Sequence, residues 1–241
     1  MPPPASNISN APLPAHIGII MDGNGRWANK RSQLRTQGHL EGLKAAKRIV
    51  QAASDMHIAY LTLYVFSTEN WKRTADEVGF IMGLVKQYLI GELDFYRQNH
   101  IRIRHTGAIT GLPPEIADEI HRACEDTRSF DGLQVVLAIN YGGRDEIVRA
   151  VRRLVAASGL EPSAITEAGI RQYLDNPDVP DPDLIIRSAG EFRISNFLLW
   201  EGAYAEYAIS DKLWPDWTEE DLKQAVSDFQ KRDRRFGGVK T

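Results

Sequence analysis

The polar loop Asp22-Gly-Asn-Gly-Arg26 directly follows an apolar run that ends at Met21. Glycine lets a backbone come close to a ligand, and the fork of an arginine side chain matches the oxygens of a phosphate. Asp22 conflicts with a bare anion site, because a carboxylate repels phosphate. A divalent cation between Asp22 and a diphosphate would resolve the conflict, since Mg²⁺ takes one or two carboxylates and completes its shell with water and phosphate oxygens. The loop therefore indicates a diphosphate site that includes Mg²⁺.

A second carboxylate for such a cation is available at Glu206, within Ala203-Tyr-Ala-Glu-Tyr207. From spacing alone, an exposed glutamate on a strand explains this residue better. Glu206 is therefore a candidate ligand whose position in the fold has to be established.

Three more polar segments follow apolar runs in the same way: Ser67–Arg73, Asn140–Arg144 and Arg187–Arg193. In an open parallel sheet the loops after the strands meet at the carboxyl edge, where ligands bind. Arginines in or near these loops would then bind more than one phosphate group through paired hydrogen bonds and charge. The arginines are Arg26, Arg35, Arg73, Arg187 and Arg193. His39 could donate to the same anion, although a histidine on a helix surface fits the spacing equally well.

The elements that must hold these loops alternate between apolar strands and helices. Strands are predicted at His16–Met21, Tyr60–Phe66, Ile101–His105, Gln134–Ile139 and Leu184–Ile186. Helices are predicted between the first two strands, over Asp76–Gln98, from Pro113 onward, and over Arg144–Ala157, Thr166–Leu174 and Thr218–Arg232. This alternation predicts a single α/β domain over residues 16–241, with a mainly parallel central sheet flanked by helices. Residues 1–15, rich in Pro, Ala, Ser and Asn, are expected to be a mobile leader.

Composition narrows the class of protein. The chain has 241 residues, 43% of them apolar, and a formal net charge of -3, which argues against a nucleic-acid binder. No apolar stretch reaches the roughly 18–20 residues that span a bilayer. The single cysteine, Cys124, cannot form an internal disulfide, which predicts a reducing, cytoplasmic location.

Other ligand-binding motifs fit the chain poorly. Gly23-Asn-Gly-Arg-Trp-Ala28 matches the loose dinucleotide fingerprint, but the second strand ends about twice as far away as the ribose-binding acid should lie. Asp22 would also face the pyrophosphate with nothing to neutralise it. The P-loop pattern and the GxSxG nucleophile elbow are absent, and one cysteine with scattered histidines offers no zinc cluster.

Five sequence blocks resemble those of the cis-prenyltransferases, whose bacterial members are undecaprenyl diphosphate synthases. The blocks are HxGIIMDGNGRWA, RTQGH, LYVFSTENWKR, INYGGRDEI and IRSAGEFRISNFLLWEGAYAEY with LWPDW. They occur in the family's order from about His16 to Gly238. The resemblance implies repeated condensation of isopentenyl diphosphate onto an allylic diphosphate such as farnesyl diphosphate, with Z double bonds and Mg²⁺ as cofactor. The implied product is undecaprenyl diphosphate, a carrier-lipid precursor for cell-wall synthesis, and the alternative is a shorter Z-prenyl diphosphate.

The resemblance also implies residue roles. Asp22 is the essential carboxylate that works with the metal, with Glu206 as a further metal ligand. The cradle of the allylic diphosphate comprises Gly23, Asn24, Gly25, Arg26, Trp27, Arg35 and His39, and a covering loop contributes Ser67, Thr68, Glu69, Asn70, Trp71 and Arg73. The isopentenyl diphosphate is held by Arg187, Arg193, Ile194 and Ser195. Asn70 counts as catalytic; because an amide is a poor base, we expect it to position a water or the diphosphate.

The resemblance further implies an apolar tunnel for the growing chain, with the helix predicted over Asp76–Gln98 as one wall. Plain core packing explains the same residues equally well. A homodimer is expected, in which Arg235-Phe-Gly237 resembles an element that a neighbouring subunit contributes. Contact with the membrane is expected only for product release. A catalytically silent subunit is the competing interpretation; such subunits lose residues like Asp22 and Asn70, which this chain retains.

Overall fold

The structure is a computed structural model that describes residues 11–159 and 162–234. Its strands are β1 (His16–Ile20), β2 (Tyr60–Ser67), β3 (Arg102–Thr106), β4 (Gln134–Tyr141), β5 (Leu184–Arg187) and β6 (Glu206–Ile209). They form one sheet in the order β3-β4-β2-β1-β5-β6, and every neighbouring pair is parallel. The predicted α/β class with a parallel central sheet is confirmed.

Eight α-helices connect and cover the strands in the described part of the chain. They are α1 (Asn24–Asn29), α2 (Arg35–Asp55), α3 (Ala75–Gly91), α4 (Leu93–Gln98), α5 (Pro114–Asp126), α6 (Gly143–Ser158), α7 (Glu167–Gln172) and α8 (Glu219–Gln230). A short 3₁₀ turn at Thr68–Lys72 lies within the polar segment after β2, and another at Glu201–Tyr204 precedes β6.

Apolar side chains cover both faces of the sheet, which explains why the strands are continuously apolar. Because side chains alternate along a strand, Ile17 and Ile19 enter the larger core, which also takes apolar residues from α2, α3, α5 and α8. Ile20 and Ile185 point to the other face and pack with Phe197 and Leu198. The sheet therefore separates two layers, and the substrate tunnel expected from the resemblance has to lie within one of them.

The helix predicted over Asp76–Gln98 is two helices. α3 ends at Gly91, and the chain turns at Glu92 before α4 begins. Glycine is a weak helix former, and the break lets the rings of Tyr88 and Tyr96 pack edge to face with centroids 5.9 Å apart. The six-residue α1 was not predicted. A strand at Glu206 was considered only as an explanation of that residue, and its bounds were not predicted because the four residues of β6 are too short for a periodic pattern.

Part of the predicted leader is attached to the domain. The backbone N–H of Ala15 donates to Asp183 Oδ2 at 2.7 Å, and the carbonyl oxygen of Ala11 accepts from Gln230 Nε2 at 2.6 Å. Residues 11–15 therefore belong to the folded domain, which corrects the predicted boundary. Residues 1–10 and the Arg235-Phe-Gly237 element lie outside the described residues. No helix in the described ranges is long and apolar enough to cross a bilayer.

Candidate active site

The polar loops lie side by side because the strands that they follow, β4, β2, β1 and β5, are neighbours in the sheet. A parallel sheet brings every carboxyl end to one edge, so loops far apart in sequence meet there. The loops are those after Tyr141, Ser67, Ile20 and Arg187.

Asp22 lies just past the end of β1, where two arginines hold its carboxylate. Asp22 Oδ2 accepts from Arg187 Nη2 at 2.8 Å, and Oδ1 lies 3.4 Å from Arg26 Nη2. Burial by itself would raise the pKa of Asp22, but the hydrogen bond and charge of Arg187, with the charge of Arg26, hold that pKa below its ordinary value. The carboxylate is therefore ionised at neutral pH, as a metal ligand must be.

Arg187 connects the loops after β1 and β5. Arg187 is 4% exposed, and its Nη1 donates to Ser195 Oγ at 2.7 Å and to the carbonyl oxygen of Arg193 at 2.5 Å. Nε of Arg187 is buried, and no acceptor of the described residues faces it. Since Arg187 lines the pocket beside Asp22, this unused donor suits an anionic oxygen.

Two glycines let the loop after β1 pack closely. Gly23 has φ 102°, a left-handed conformation that side chains rarely adopt. A Cβ on Gly38 of α2 would lie 2.0 Å from the carbonyl oxygen of Asn24, so glycine is needed where α2 crosses the loop. Gly25 faces the guanidinium of Arg35, which places that arginine at the rim of the site.

The loop after β2 is fastened by its own side chains. Asn70 Oδ1 accepts from the backbone N–H of Ser67 at 3.1 Å, which leaves the NH₂ group of Asn70 for other partners. Glu69 Oε1 accepts from Asn196 Nδ2 at 2.9 Å, which joins this loop to the one after β5. The oxygen of Asn70 is thus already used, which fits a positioning role better than that of a base.

Glu77 of α3 is a site residue that the sequence did not single out. Its Oε1 accepts from Arg73 Nη1 at 2.9 Å and from His39 Nε2 at 3.3 Å, and lies 3.5 Å from Arg35 Nη2. Burial, with the charges of Arg73 and Arg35, lowers the pKa of His39, so the imidazole is neutral at pH 7. One carboxylate therefore gathers three predicted diphosphate ligands. The i,i+4 spacing from Arg73 was the available clue.

Predicted residues of the loops after β1, β2 and β5, with one residue of α2, line one polar pocket with about 1240 Å³ of empty space: Asp22, Asn24, His39, Ser67, Glu69, Asn70, Arg73, Arg187, Arg193 and Ser195. The loop after β4 does not line this pocket. The pocket adjoins an apolar cavity of about 680 Å³ between the sheet, α2 and α3. Met21, Val65 and Ile81 line both spaces. A ligand with a charged head and an apolar tail would therefore fit with its tail in the cavity.

Six predicted substrate-binding side chains do not line this pocket: Arg26, Trp27, Arg35, Thr68, Trp71 and Ile194. The indole N–H of Trp27 donates to Asp216 Oδ1 at 2.6 Å, and that of Trp71 donates to Asn140 Oδ1 at 2.8 Å. Ile194 faces an apolar groove beside β6. The two tryptophans hold neighbouring segments together in this structure.

Glu206 is the clearest departure from the predicted site. It begins β6, opposite Leu184, which in turn pairs with Ile17 near the start of β1. Asp22 lies five residues beyond Ile17, about 15 Å farther along the strand direction. The Glu206 carboxylate instead pairs with Arg232 Nη1 at 2.8 Å. Asp22 and Glu206 of one chain therefore cannot share a cation in this conformation.

The donor set for a metal is correspondingly small. The described residues contain no cluster of three or more His, Cys, Asp or Glu side chains that could hold an ion. Mg²⁺ needs no such cluster, because one carboxylate can be combined with water and phosphate oxygens. Asp22 at the polar pocket offers that carboxylate.

Comparison with known proteins agrees with the fold and with the family that the sequence blocks resemble. Residues 20–237 match the family model described as putative undecaprenyl diphosphate synthase. The chain is 54% identical to an isoprenyl transferase of Treponema denticola over 93% of its length and 97% of the relative's, and 46% identical to one of Thermotoga maritima over 94% and 98%.

Two solved structures share the fold. Lavandulyl diphosphate synthase from Lavandula x intermedia, in complex with dimethylallyl diphosphate, has a TM-score of 0.89 and 35% identity over 93% of this chain and 98% of that one. A probable undecaprenyl diphosphate synthase from Campylobacter jejuni has a TM-score of 0.79 and 37% identity over 94% and 99%. This chain is a prenyltransferase and belongs to the undecaprenyl diphosphate synthase family of cis-prenyltransferases.

Proposed function

We propose that this enzyme condenses isopentenyl diphosphate repeatedly onto an allylic diphosphate, with Mg²⁺ as cofactor and Z double bonds in the product. The observation that carries the proposal is the Asp22–Arg187 pair at a polar pocket that adjoins an apolar cavity. A charged head and a lengthening hydrocarbon tail are the two parts of such a substrate. Farnesyl diphosphate is the proposed primer and undecaprenyl diphosphate the proposed product.

The allylic diphosphate is proposed to bind the loop after β1 together with α2. Arg26, Arg35 and His39 supply donors, and Gly23 and Gly25 allow close approach of the backbone. The tail would then enter the cavity past Met21 and Val65, which supports placing this substrate nearest the apolar space.

The isopentenyl diphosphate is proposed to bind the loop after β5. Arg187, Arg193 and Ser195 offer cationic and hydroxyl donors on the side of the pocket away from α2. Binding there would exchange the present contact of Arg187 with Ser195 for contacts to phosphate oxygens, without moving the backbone.

The chemistry follows from this arrangement. Breaking the allylic C–O bond builds negative charge on the departing diphosphate, and the arginines stabilise that charge where it develops. Asp22 is the proposed metal ligand, and Mg²⁺ would supply Lewis-acid stabilisation of the same leaving group. The isopentenyl double bond attacks the allylic cation, and a proton is then lost. Asn70, whose oxygen is engaged with Ser67, is proposed to orient the water or diphosphate that accepts this proton.

A shorter Z-prenyl product is the alternative. Val65 at the junction of pocket and cavity is branched where long-chain members of the family often carry alanine, and Tyr88 also lines the cavity. Both side chains reduce the room for a long tail. A silent subunit is disfavoured because Asp22, Asn70 and Arg187 are all in place.

The test is the product mass spectrum after incubation with farnesyl diphosphate, isopentenyl diphosphate and Mg²⁺. Products that differ by five-carbon units are expected, ending at the undecaprenyl compound, and chelation should stop elongation. Folded protein that makes no elongated product would overturn the proposal, and a shorter end point would select the alternative.

A homodimer is proposed to form at the β6 edge. In the described residues β6 pairs only with β5, and Phe192 and Tyr204 nearby are 88% and 68% exposed. An open edge beside exposed aromatic side chains is typical of an interface. Sedimentation should give twice the chain mass, and Phe192→Asp should shift the equilibrium to monomer.

A cytoplasmic location with membrane contact only at product release is also proposed, testable by cell fractionation.

A further inference from the structure

A buried glutamate, Glu146, and a partly exposed one, Glu201, face each other on the opposite side of the sheet from the apolar cavity. Glu146 of α6 and Glu201, at the start of a 3₁₀ turn, line an internal space of about 300 Å³ together with His16 and Thr62. Their carboxyl groups lie within hydrogen-bonding reach of each other. Two carboxyl groups can form such a bond only if one of them carries a proton.

The hydrogen-bond partners indicate where that proton resides. Glu146 accepts two hydrogen bonds. Its Oε2 accepts from the Tyr141 hydroxyl at 2.5 Å, and its Oε1 accepts from the backbone N–H of Asp175 at 3.2 Å. Glu201 Oε2 is buried, and no N–H or O–H of the described residues points at it. Burial, followed by the charge of Glu146, raises the pKa of Glu201 to about 8. A proton on Glu201 is therefore retained at neutral pH.

Little in the surroundings offsets a second negative charge there. The titratable and charged groups that face the pair are His16 of β1, Tyr141 of β4, Arg149 of α6, and Asp175 and Asp181 before β5. Burial lowers the pKa of His16 to about 4, so its ring is neutral. Arg149 is already paired with both Asp145 and Asp175.

A strained loop is attached to the start of α6 next to the pair. Ser195, Asn196 and Leu198 have φ values of 47°, 62° and 44°, which non-glycine residues hold only where their surroundings enforce them. The backbone N–H groups of Gly143 and Arg144 donate to Asn196, at 2.7 Å to its carbonyl oxygen and 2.9 Å to Oδ1. Glu146 belongs to the same first turn of α6, and Glu201 follows the loop.

We propose that Glu146 and Glu201 share one proton and act as positioning residues for the loop that carries Arg193 and Ser195. The assignment rests on the proposed function, in which that loop binds isopentenyl diphosphate. Loss of the shared proton to solvent leaves two carboxylates facing each other, while the nearby Arg149 is already paired with Asp145 and Asp175. Their repulsion releases the loop and weakens binding of the second substrate.

The kinetic test compares the parent enzyme with Glu201→Gln between pH 6.5 and 9.5. The glutamine NH₂ donates to Glu146 at every pH, so the variant keeps the contact without the proton. In the parent, KM for isopentenyl diphosphate should rise about fivefold between pH 7 and 9, while KM for the allylic substrate changes less than about twofold. In Glu201→Gln the KM for isopentenyl diphosphate should change by less than about twofold between pH 7 and 9. The control Glu125→Gln, on the surface of α5, should show the same KM profile as the parent.

Stability gives a second readout. The pKa of Glu201 is higher in the folded than in the unfolded chain, so the native state holds the extra proton between those values. The parent's free energy of unfolding should therefore fall as the pH rises from about 5 to about 8, and that fall should be absent in Glu201→Gln. If Glu201→Gln does not fold, Glu146→Gln is the matched variant, because its amide can donate to Glu201.

An identical KM profile in the parent and Glu201→Gln would overturn the positioning role, even if the stability profiles differ. Equal slopes of stability in the two proteins would overturn the shared proton. Absence of turnover in the parent would overturn the proposed function and this role with it, whereas the stability profile would still decide the proton.

Discussion

Side chains of the active site already hold one another in this structure. Arg187 binds the carboxylate of Asp22, the hydroxyl of Ser195 and the carbonyl oxygen of Arg193, and Glu77 gathers Arg35, Arg73 and His39. The proposed diphosphate ligands are therefore kept in place by internal partners, which lowers the ordering cost of binding.

Asp22→Asn should lower kcat by about 10²–10³-fold, because the ionised carboxylate proposed to bind the metal at the leaving diphosphate is lost. Asparagine keeps an oxygen for Arg187, so the melting temperature should change by less than about 3 °C. Asp178→Asn, far from the pocket beside Arg104, is the matched control and should turn over normally. Steady-state kinetics measure kcat, and calorimetry measures the melting temperature. Normal turnover of Asp22→Asn would contradict the mechanism.

Glu77→Gln should raise KM for the allylic diphosphate about tenfold with kcat within about threefold, because two guanidinium groups without their shared carboxylate repel and spread. Glu92→Gln, which removes only a surface pair with Lys47, is the control. A lower KM in Glu77→Gln would contradict the prediction, since it would mean that Glu77 competes with the substrate for the arginines.

At the scale of elements, α3 has a buried face that lines the cavity and an outer face with two exposed glycines. Its buried face, with Ile81, Val85 and Leu89, lines the apolar cavity. Its outer face carries Gly79 and Gly83, where an added Cβ would meet nothing within 4 Å. Exposed glycines inside a helix weaken it without improving packing, so α3 is the less stable wall of the cavity.

Gly79→Ala and Gly83→Ala should each raise the free energy of unfolding by about 0.5–1 kcal/mol, because both positions are helical and open. Gly38→Ala in α2 is the contrasting variant, because its Cβ would lie 2.0 Å from the carbonyl oxygen of Asn24. This variant should lower the free energy of unfolding by at least about 2 kcal/mol. Urea denaturation measures both. Loss of stability in the α3 variants would show that those glycines are needed.

At the scale of the whole molecule, the two kinds of ligand surface come from different parts of the α/β plan. The polar pocket is built from loops at the carboxyl edge, and the apolar cavity lies between the sheet and the helices of one face. They adjoin at Val65, which follows Tyr64 near the end of β2. Head and tail of one substrate can therefore be bound by one domain, and in the proposed binding mode the space behind Val65 would set the length of the tail.

Val65→Phe should shorten the longest product, because a larger ring at the junction takes space from the cavity, and Val65→Ala should lengthen it or leave it unchanged. Val148→Phe on the exposed surface of α6 is the control and should give the parent's products. Mass spectra of the product mixtures make the comparison. A longer product from Val65→Phe would place the tail elsewhere.

The predicted loops did meet at one edge, because parallel strands with helical crossovers leave their carboxyl ends on the same side. Residues that act through distant partners were not predictable. Glu77 lies in a segment predicted only as a helix, and Glu146 and Glu201 are 55 positions apart in the chain, so no local pattern singled out any of them. Glu206 was placed with Asp22 because the family resemblance implied a metal ligand there, whereas the start of β6 lies well away from the end of β1.

By itself the sequence determined the alternation of strands and helices and the polar loops that follow the strands, since both depend on local residue order and hydrophobic period. The tertiary structure decided which polar side chains meet: Arg187 with Asp22, Glu77 with Arg35, Arg73 and the neutral His39, and Glu146 with Glu201. It also decided that Glu206 stays apart and that the cavity opens beside the diphosphate pocket. These contacts join residues far apart in the chain, and strand order, register and side-chain packing bring them together.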